Sequence, residues 1–159
     1  MSEKLRYEID MSLPVPASAS EGVYIRTVVP ADLAGLARLM LDAYVGTIDY
    51  EDETFDDALE EVSAFLEDDG SLLDRSYIVE DEGKIVSSVL VSMSQGLPFI
   101  GYVMTIPSHK SQGLARLLIT HALNELCGDG HERVVLYITD GNIPSESLFR
   151  SVGAVQVEP

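Results

Sequence analysis

The sequence predicts a mixed α/β domain built on one mixed, mostly antiparallel sheet with helices on both faces. Three observations carry this expectation. Short β-branched runs alternate with amphipathic stretches at helical spacing. Three of those runs follow one another through tight turns, the pattern of an antiparallel meander. A helical stretch then separates the third run from the next, which makes those two parallel neighbours joined by a right-handed crossover. With 159 residues, 46% of them hydrophobic, the chain is long enough for one compact unit with a real core.

Taken in order, residues 1–22 divide into a charged run, LRYEID, and a Pro/Ala/Ser stretch, LPVPASASEG. The first alternates enough for an edge strand; the second has the composition of a linker or extended arm. Residues 23–159 are expected to form a single domain. VYIRTVV opens it as a strand, and Pro30 with Asp32 suits the first turn of a helix, where Pro needs no donor and Asp meets the positive dipole end. Leu33, Leu36, Ala37, Met40 and Tyr44 continue that helix. Thr54 with Asp57 three residues on is a capping-box-like start for a second, carrying Phe55, Leu59, Val62 and Leu66. The loop between them, VGTIDYEDE, is rich in Tyr and acids. RSYIVE, the turn DEGK, IVSSVLVSM, the turn QGLP and FIGYVMTI form the meander. Ser111 to Cys127 reads as a helix with one apolar face, RVVLYIT as a buried strand, SESLFRSV as a last helix and AVQV as a terminal strand.

Ten basic against 27 acidic residues give a formal net charge of −17. Such a field repels phosphate backbones and argues against nucleic-acid binding. It favours a cationic or amine-bearing partner, or serves solubility alone. No segment approaches the ~18 apolar residues of a membrane span, and the N-terminus lacks a secretory h-region; the expected location is cytoplasmic. Cys127 is the sole cysteine, so an internal disulfide is excluded and a buried, inert thiol is expected. His109 and His121 have no Cys or carboxylate at ligand spacing, so no metal is expected. The absence of a GxSxG elbow argues against a serine hydrolase.

The most informative stretch is VMTIPSHKSQGLA, Val103 to Ala115, a strand running through Pro107 into a loop of small residues that opens a helix. Free N–H groups at such a junction, with the dipole behind them, attract an anion. A P-loop would need GxxxxGK followed by Ser or Thr. A Rossmann unit would need GxGxxG after the first strand of an alternating βαβ fold. Neither is present, which leaves a coenzyme A pyrophosphate site.

From Val23 to the C-terminus the chain resembles the GNAT family of N-acetyltransferases. KSQGLA stands in place of that family's Gln/Arg-x-x-Gly-x-Gly/Ala loop, VMT in place of the strand lining the pantetheine, and NIPSESLFRSVGA in place of its NxxAxxLYxxxGF segment. The resemblance implies a sheet of about six or seven strands, splayed between parallel strands 99–106 and 133–139, with the pantetheine in the gap. It implies acyl transfer, usually of acetyl from acetyl-CoA, to a primary amine by direct attack in a ternary complex. Val103, Met104 and Thr105 would then contact the arm and thioester through main-chain atoms, Met104 N–H polarising the carbonyl. Lys110, Ser111, Gln112, Gly113, Leu114, Ala115 and Arg116 would hold the pyrophosphate. Asn142 matches the motif Asn that contacts the pantetheine or reaction centre; alternatively it closes a turn with Gly141.

Proton chemistry is where the chain departs from the family pattern. The usual Tyr falls on Phe149, a cofactor-site position here without a proton to give. The Glu that acts as base in ribosomal-protein-alanine acetyltransferase relatives falls on Tyr137, a phenol with an ordinary pKa near ~10. Tyr137 is thus an acid, a water-orienting group, or simply a strand residue. Asp49 and Glu51, with Tyr50 between them, are the candidates for receiving the ammonium and its proton. Two functions follow: an N-acyltransferase, or a CoA-binding sensor that has lost catalysis. Homodimerisation is compatible with either.

Overall fold

A computed structural model describes residues 3–12 and 23–158. Among them the elements run β1 (Lys4–Asp10), β2 (Ile25–Thr27), α1 (Leu33–Tyr44), α2 (Phe55–Glu67), β3 (Tyr77–Asp81), β4 (Lys84–Ser94), β5 (Leu97–Thr105), α3 (Leu114–Gly128), β6 (Arg133–Thr139), α4 (Ile143–Ser151) and β7 (Ala154–Gln156). The strands form one sheet in the order β2-β3-β4-β5-β6-β1-β7. Each pair is antiparallel except β5 with β6.

The meander follows from its turns. Glu82–Gly83 and Gln95–Gly96 each hold two successive positive φ values, the I′ geometry whose twist matches that of a hairpin. β4 is an interior strand and is buried without a break from Ile85 to Val91. Both of its faces are therefore covered: α1 and α3 each pack on β4 and β5. Leu36 and Leu39 of α1 and Leu118, Ile119, Leu123 and Leu126 of α3 have no exposed surface. Each such burial contributes about 1.5–3 kcal/mol of transfer free energy.

Local signals place the helices as expected. Asp57 N donates to Thr54 Oγ1 (3.1 Å) and Thr54 N to Asp57 Oδ2 (2.9 Å), so α2 starts on a capping box. Pro30–Asp32 forms a 3-10 turn ahead of α1. Asp32, only 7% exposed, accepts from Val29 N (2.9 Å) and both terminal nitrogens of Arg26 (2.8 and 3.0 Å). Burial raises the pKa of Asp32, yet the Arg26 and Val29 hydrogen bonds outweigh it and hold the carboxyl below its ordinary value.

Three expectations are corrected. LRYEID is not an edge strand: β1 lies between β6 and β7, in register with β6 from Lys4 opposite Thr139 to Asp10 opposite Arg133. Tyr7 and Ile9, each 1% exposed, enter the core with Met11. Alternation reports that one face is buried and is blind to which strands flank it. Cys127 is exposed rather than buried; it follows Leu126 on α3, turned away from the apolar stripe, with Sγ 3.5 Å from the Met11 carbonyl. VYIRTVV pairs as a strand only over Ile25–Thr27; Val28 N adds one more bond in the same register, to the Ser76 carbonyl, before Pro30 opens the 3-10 turn. The LPVPASASEG stretch lies outside the described residues.

Candidate active site

The site begins with one unpaired residue in β5. Leu90 faces Tyr102, but the next residue of β4, Val91, faces Ile100, so Gly101 is an extra residue in its strand. A bulge bends its strand and sharpens the twist. The parallel ladder with β6 consists of Phe99 with Val135 and Ile100 with Leu136 and ends at that bulge. Beyond it the strands part around a cleft of about 590 Å³, walled by Gly101–Val103 on one side and Leu136–Thr139 on the other. Peptide groups that face a gap need partners, and an amide-bearing chain supplies them.

Below the bulge, Pro107–His109 forms a 3-10 turn and the chain enters α3 through Lys110, Ser111, Gln112 and Gly113. Ser111 (φ 67°) and Gly113 (φ 78°) are left-handed, and a Cβ at Gly113 would have open space around it. The conformation therefore favours glycine at 113, and the space in front of it is free. The N–H groups of Leu114, Ala115 and Arg116 have no intrahelical partner, as in any first helical turn. His109 joins this loop to β3: Nε2 lies 2.7 Å from Asp81 Oδ2 and Nδ1 2.8 Å from Ser108 Oγ.

The cleft itself is acidic. Asp49, Glu51, Glu53 and Glu61 line it, with Lys4 as its one basic side chain among the described residues. Asp49 is fixed: Thr139 Oγ1 donates to its Oδ1 (2.7 Å) and Asn142 Nδ2 to its Oδ2 (3.0 Å). These bonds tie the loop after α1 to the end of β6 and the start of α4. Glu61 accepts from the Tyr102 hydroxyl at 2.6 Å. Burial, and then that bond to Glu61, pushes the Tyr102 pKa well above the usual phenol value. Burial likewise raises Tyr44, followed by the negative charges of Asp49, Glu61 and Glu53. Both remain neutral phenols at physiological pH.

A family model described as the acetyltransferase (GNAT) family matches residues 34–154. The chain belongs to this family. Solved structures share its fold. A GCN5-related N-acetyltransferase from Sphaerobacter thermophilus is 21% identical with a TM-score of 0.76, over 97% of this chain and 48% of that one. The chain thus spans about half the length of that neighbour. An aminoglycoside N-acetyltransferase in complex with CoA is 18% identical (TM-score 0.67; 89% and 95% covered). The ribosomal-protein-alanine N-acetyltransferase of Escherichia coli is 17% identical (TM-score 0.67; 82% and 76% covered). No curated protein sequence matches.

Within this GNAT fold the expected residues separate into three groups. Val103, Tyr137, Asn142, Phe149, Asp49 and Glu51 all border the cleft. Met104 is buried at 1% and Thr105 shares a hydrogen bond with Ser87 Oγ (2.9 Å), so both side chains serve the sheet. Ile106 N donates to the Val86 carbonyl (3.0 Å), and the alternation of the ladder then makes Ser88–Met104 a hydrogen-bonded pair and leaves the main chain of Val103 and Thr105 facing away from β4. Arg116 turns its guanidinium to the Ser151 carbonyl at the end of α4 (3.3 Å), away from the loop. Asn142 is a structural link in the site: its Oδ1 accepts from Ser145 N (3.2 Å), capping α4, while its amide nitrogen holds Asp49. Tyr137 is 47% exposed at the mouth, its ring 5.9 Å from that of Phe99. Tyr44, Glu61, Tyr102 and Thr139 were not singled out by sequence, since each reads as an ordinary helix or strand residue.

Proposed function

We propose that the chain transfers an acetyl group from acetyl-CoA to a primary amine bound at the acidic end of the cleft. The observation that carries this reading is the end of the β5–β6 ladder at Ile100, which joins a donor-sized gap to four carboxylates. Ser111 to Ala115 cradle the pyrophosphate through main-chain N–H groups, with Lys110 as a point-charge partner. The pantetheine amides pair with the free edge of β5 at Val103 and Thr105, and an N–H of that edge, rather than the Met104 N–H paired with Ser88, polarises the thioester oxygen. The acceptor enters as an ammonium, Asp49 and Glu51 offset its charge, and water between them takes its proton. The neutral amine attacks the carbonyl carbon, the C–S bond breaks, and the proton released from the nitrogen reaches the departing CoA thiolate through Tyr137 or solvent.

Acetyl-CoA at a hundredfold excess over Kd should raise stability by about 2.7 kcal/mol. Thiol release beyond one equivalent per chain should require an added amine. Absence of any thermal shift would overturn the donor assignment. A second reading, a CoA sensor without catalysis, is favoured by Phe149, buried at the cleft wall without a hydroxyl; it predicts the same shift and no thiol release across a panel of amines.

A further inference from the structure

We infer that Lys4 is an acetyl acceptor of its own active centre, because β1 holds this lysine at the cleft opposite the Thr139–Asp49 contact. The inference rests on the transferase reading above. Lys4 is the first residue of β1 and faces Thr139 directly in the β1–β6 register. Residues directly opposite in an antiparallel pair present their side chains to the same face of the sheet. Thr139 donates at 2.7 Å to Asp49, the carboxylate best placed to receive an ammonium. Lys4 is therefore on the acceptor side of the cleft, which it lines.

Its ammonium is also uncommitted. No ion pair or hydrogen bond engages Lys4 among the described residues, whereas Lys84 lies 4.0 Å from Asp42 and does not border the cleft. The strand backbone is anchored: β1 pairs residue by residue with β6, and Asp140 N donates to the Glu3 carbonyl at 2.7 Å. A rigid backbone beside the gap with a long, unpaired amine is the arrangement that gives an intramolecular acceptor a high effective concentration. In the reaction the Lys4 ammonium loses one proton to solvent through the cleft carboxylates. Its nitrogen forms an amide bond to the acetyl carbon as the C–S bond breaks, and the thiolate takes up the proton released from the attacking nitrogen. The products are acetyl-Lys4, CoA and one released proton. The modification removes the one cation that lines the cleft among the described residues and leaves its acceptor end more anionic.

The test uses the full chain with acetyl-CoA and no added amine, followed by intact mass and peptide mapping. The chain's lysines are Lys4, Lys84 and Lys110; Lys84, which does not border the cleft, reports uncatalysed acetylation. The expected result is one acetyl group on Lys4, at least tenfold faster than on Lys84, with a rate constant unchanged on dilution of the protein. Lys4→Arg should abolish the mark while keeping the charge. Equal labelling of Lys4 and Lys84, or a rate constant that rises with protein concentration, would overturn the inference. Acetylation of added amines with Lys4 unmarked would overturn it and leave the transferase reading standing; failure on both would remove the two together.

Discussion

Asp49→Asn separates the charge of the cleft from its architecture. The wild-type carboxylate accepts from Thr139 Oγ1 and Asn142 Nδ2 at 2.7 and 3.0 Å. An amide can keep both contacts, its oxygen facing the Asn142 donor and its nitrogen donating to the Thr139 hydroxyl, which also accepts. What disappears is the negative charge. A bound ammonium about 4 Å away loses up to ~4 kcal/mol of attraction at an effective dielectric near ~20, less where water reaches the pair. We therefore expect kcat/KM for the amine to fall about 10–300-fold, equivalent to roughly 1.4–3.4 kcal/mol. The KM for acetyl-CoA should not change, since Asp49 borders the cleft and none of Lys110 to Arg116 does. Thiol release with each substrate varied in turn measures both quantities. An unchanged kcat/KM for a cationic amine, with thermal stability intact, would refute Asp49 as the acceptor anchor.

Gly113→Val forces a β-branched residue to φ 78°, costing about 1–3 kcal/mol of strain, and calorimetric titration should find acetyl-CoA binding lost. Ile9→Ala removes a core side chain 1% exposed and should cost about 2–5 kcal/mol in urea unfolding, where an edge strand would lose far less. Asp32 has a carboxyl pKa held below its unfolded value, so its contribution is complete above the unfolded value near ~3.9 and is lost as pH falls through the lower folded one. Asp32→Asn should therefore lower the urea midpoint at neutral pH and flatten its fall below about pH 4.

Much of the fold was legible because it is written locally. Thr54 and Asp57 are three residues apart and cap α2 as their spacing predicts; the Glu82–Gly83 and Gln95–Gly96 turns sit between the strands they join. The donor loop was legible for the same reason, since Lys110 to Arg116 are contiguous. What escaped the sequence is held together across the chain. Asp49 meets Thr139 and Asn142 from about ninety residues away, and nothing in VGTIDYEDE marks Asp49 as more constrained than Glu51. The bulge at Gly101 left only a trace, a glycine inside a strand pattern, which signals irregular pairing without saying which ladder it ends. For β1, composition described one face of the strand while its neighbours were settled by the distant β6 and β7.

The placement of β1 bears directly on the cleft. After Leu136 the strand β6 has lost its partner on the β5 side, so Tyr137, Ile138 and Thr139 would project as a half-paired end. β1 supplies the other half: Arg6, Leu5 and Lys4 pair with those three residues in register. An opened sheet can keep a fixed wall only if the parted strand is held from behind, and here the chain's own N-terminal segment holds it. The same pairing fixes Thr139, and through Thr139 the position of Asp49. Core packing at Tyr7 and Ile9, strand register at Lys4 and the acceptor carboxylate are therefore mechanically linked. It follows that removing residues 1–12 should weaken amine recognition more than donor binding, because the Gly113 loop is anchored by β5 and α3 and makes no use of β1.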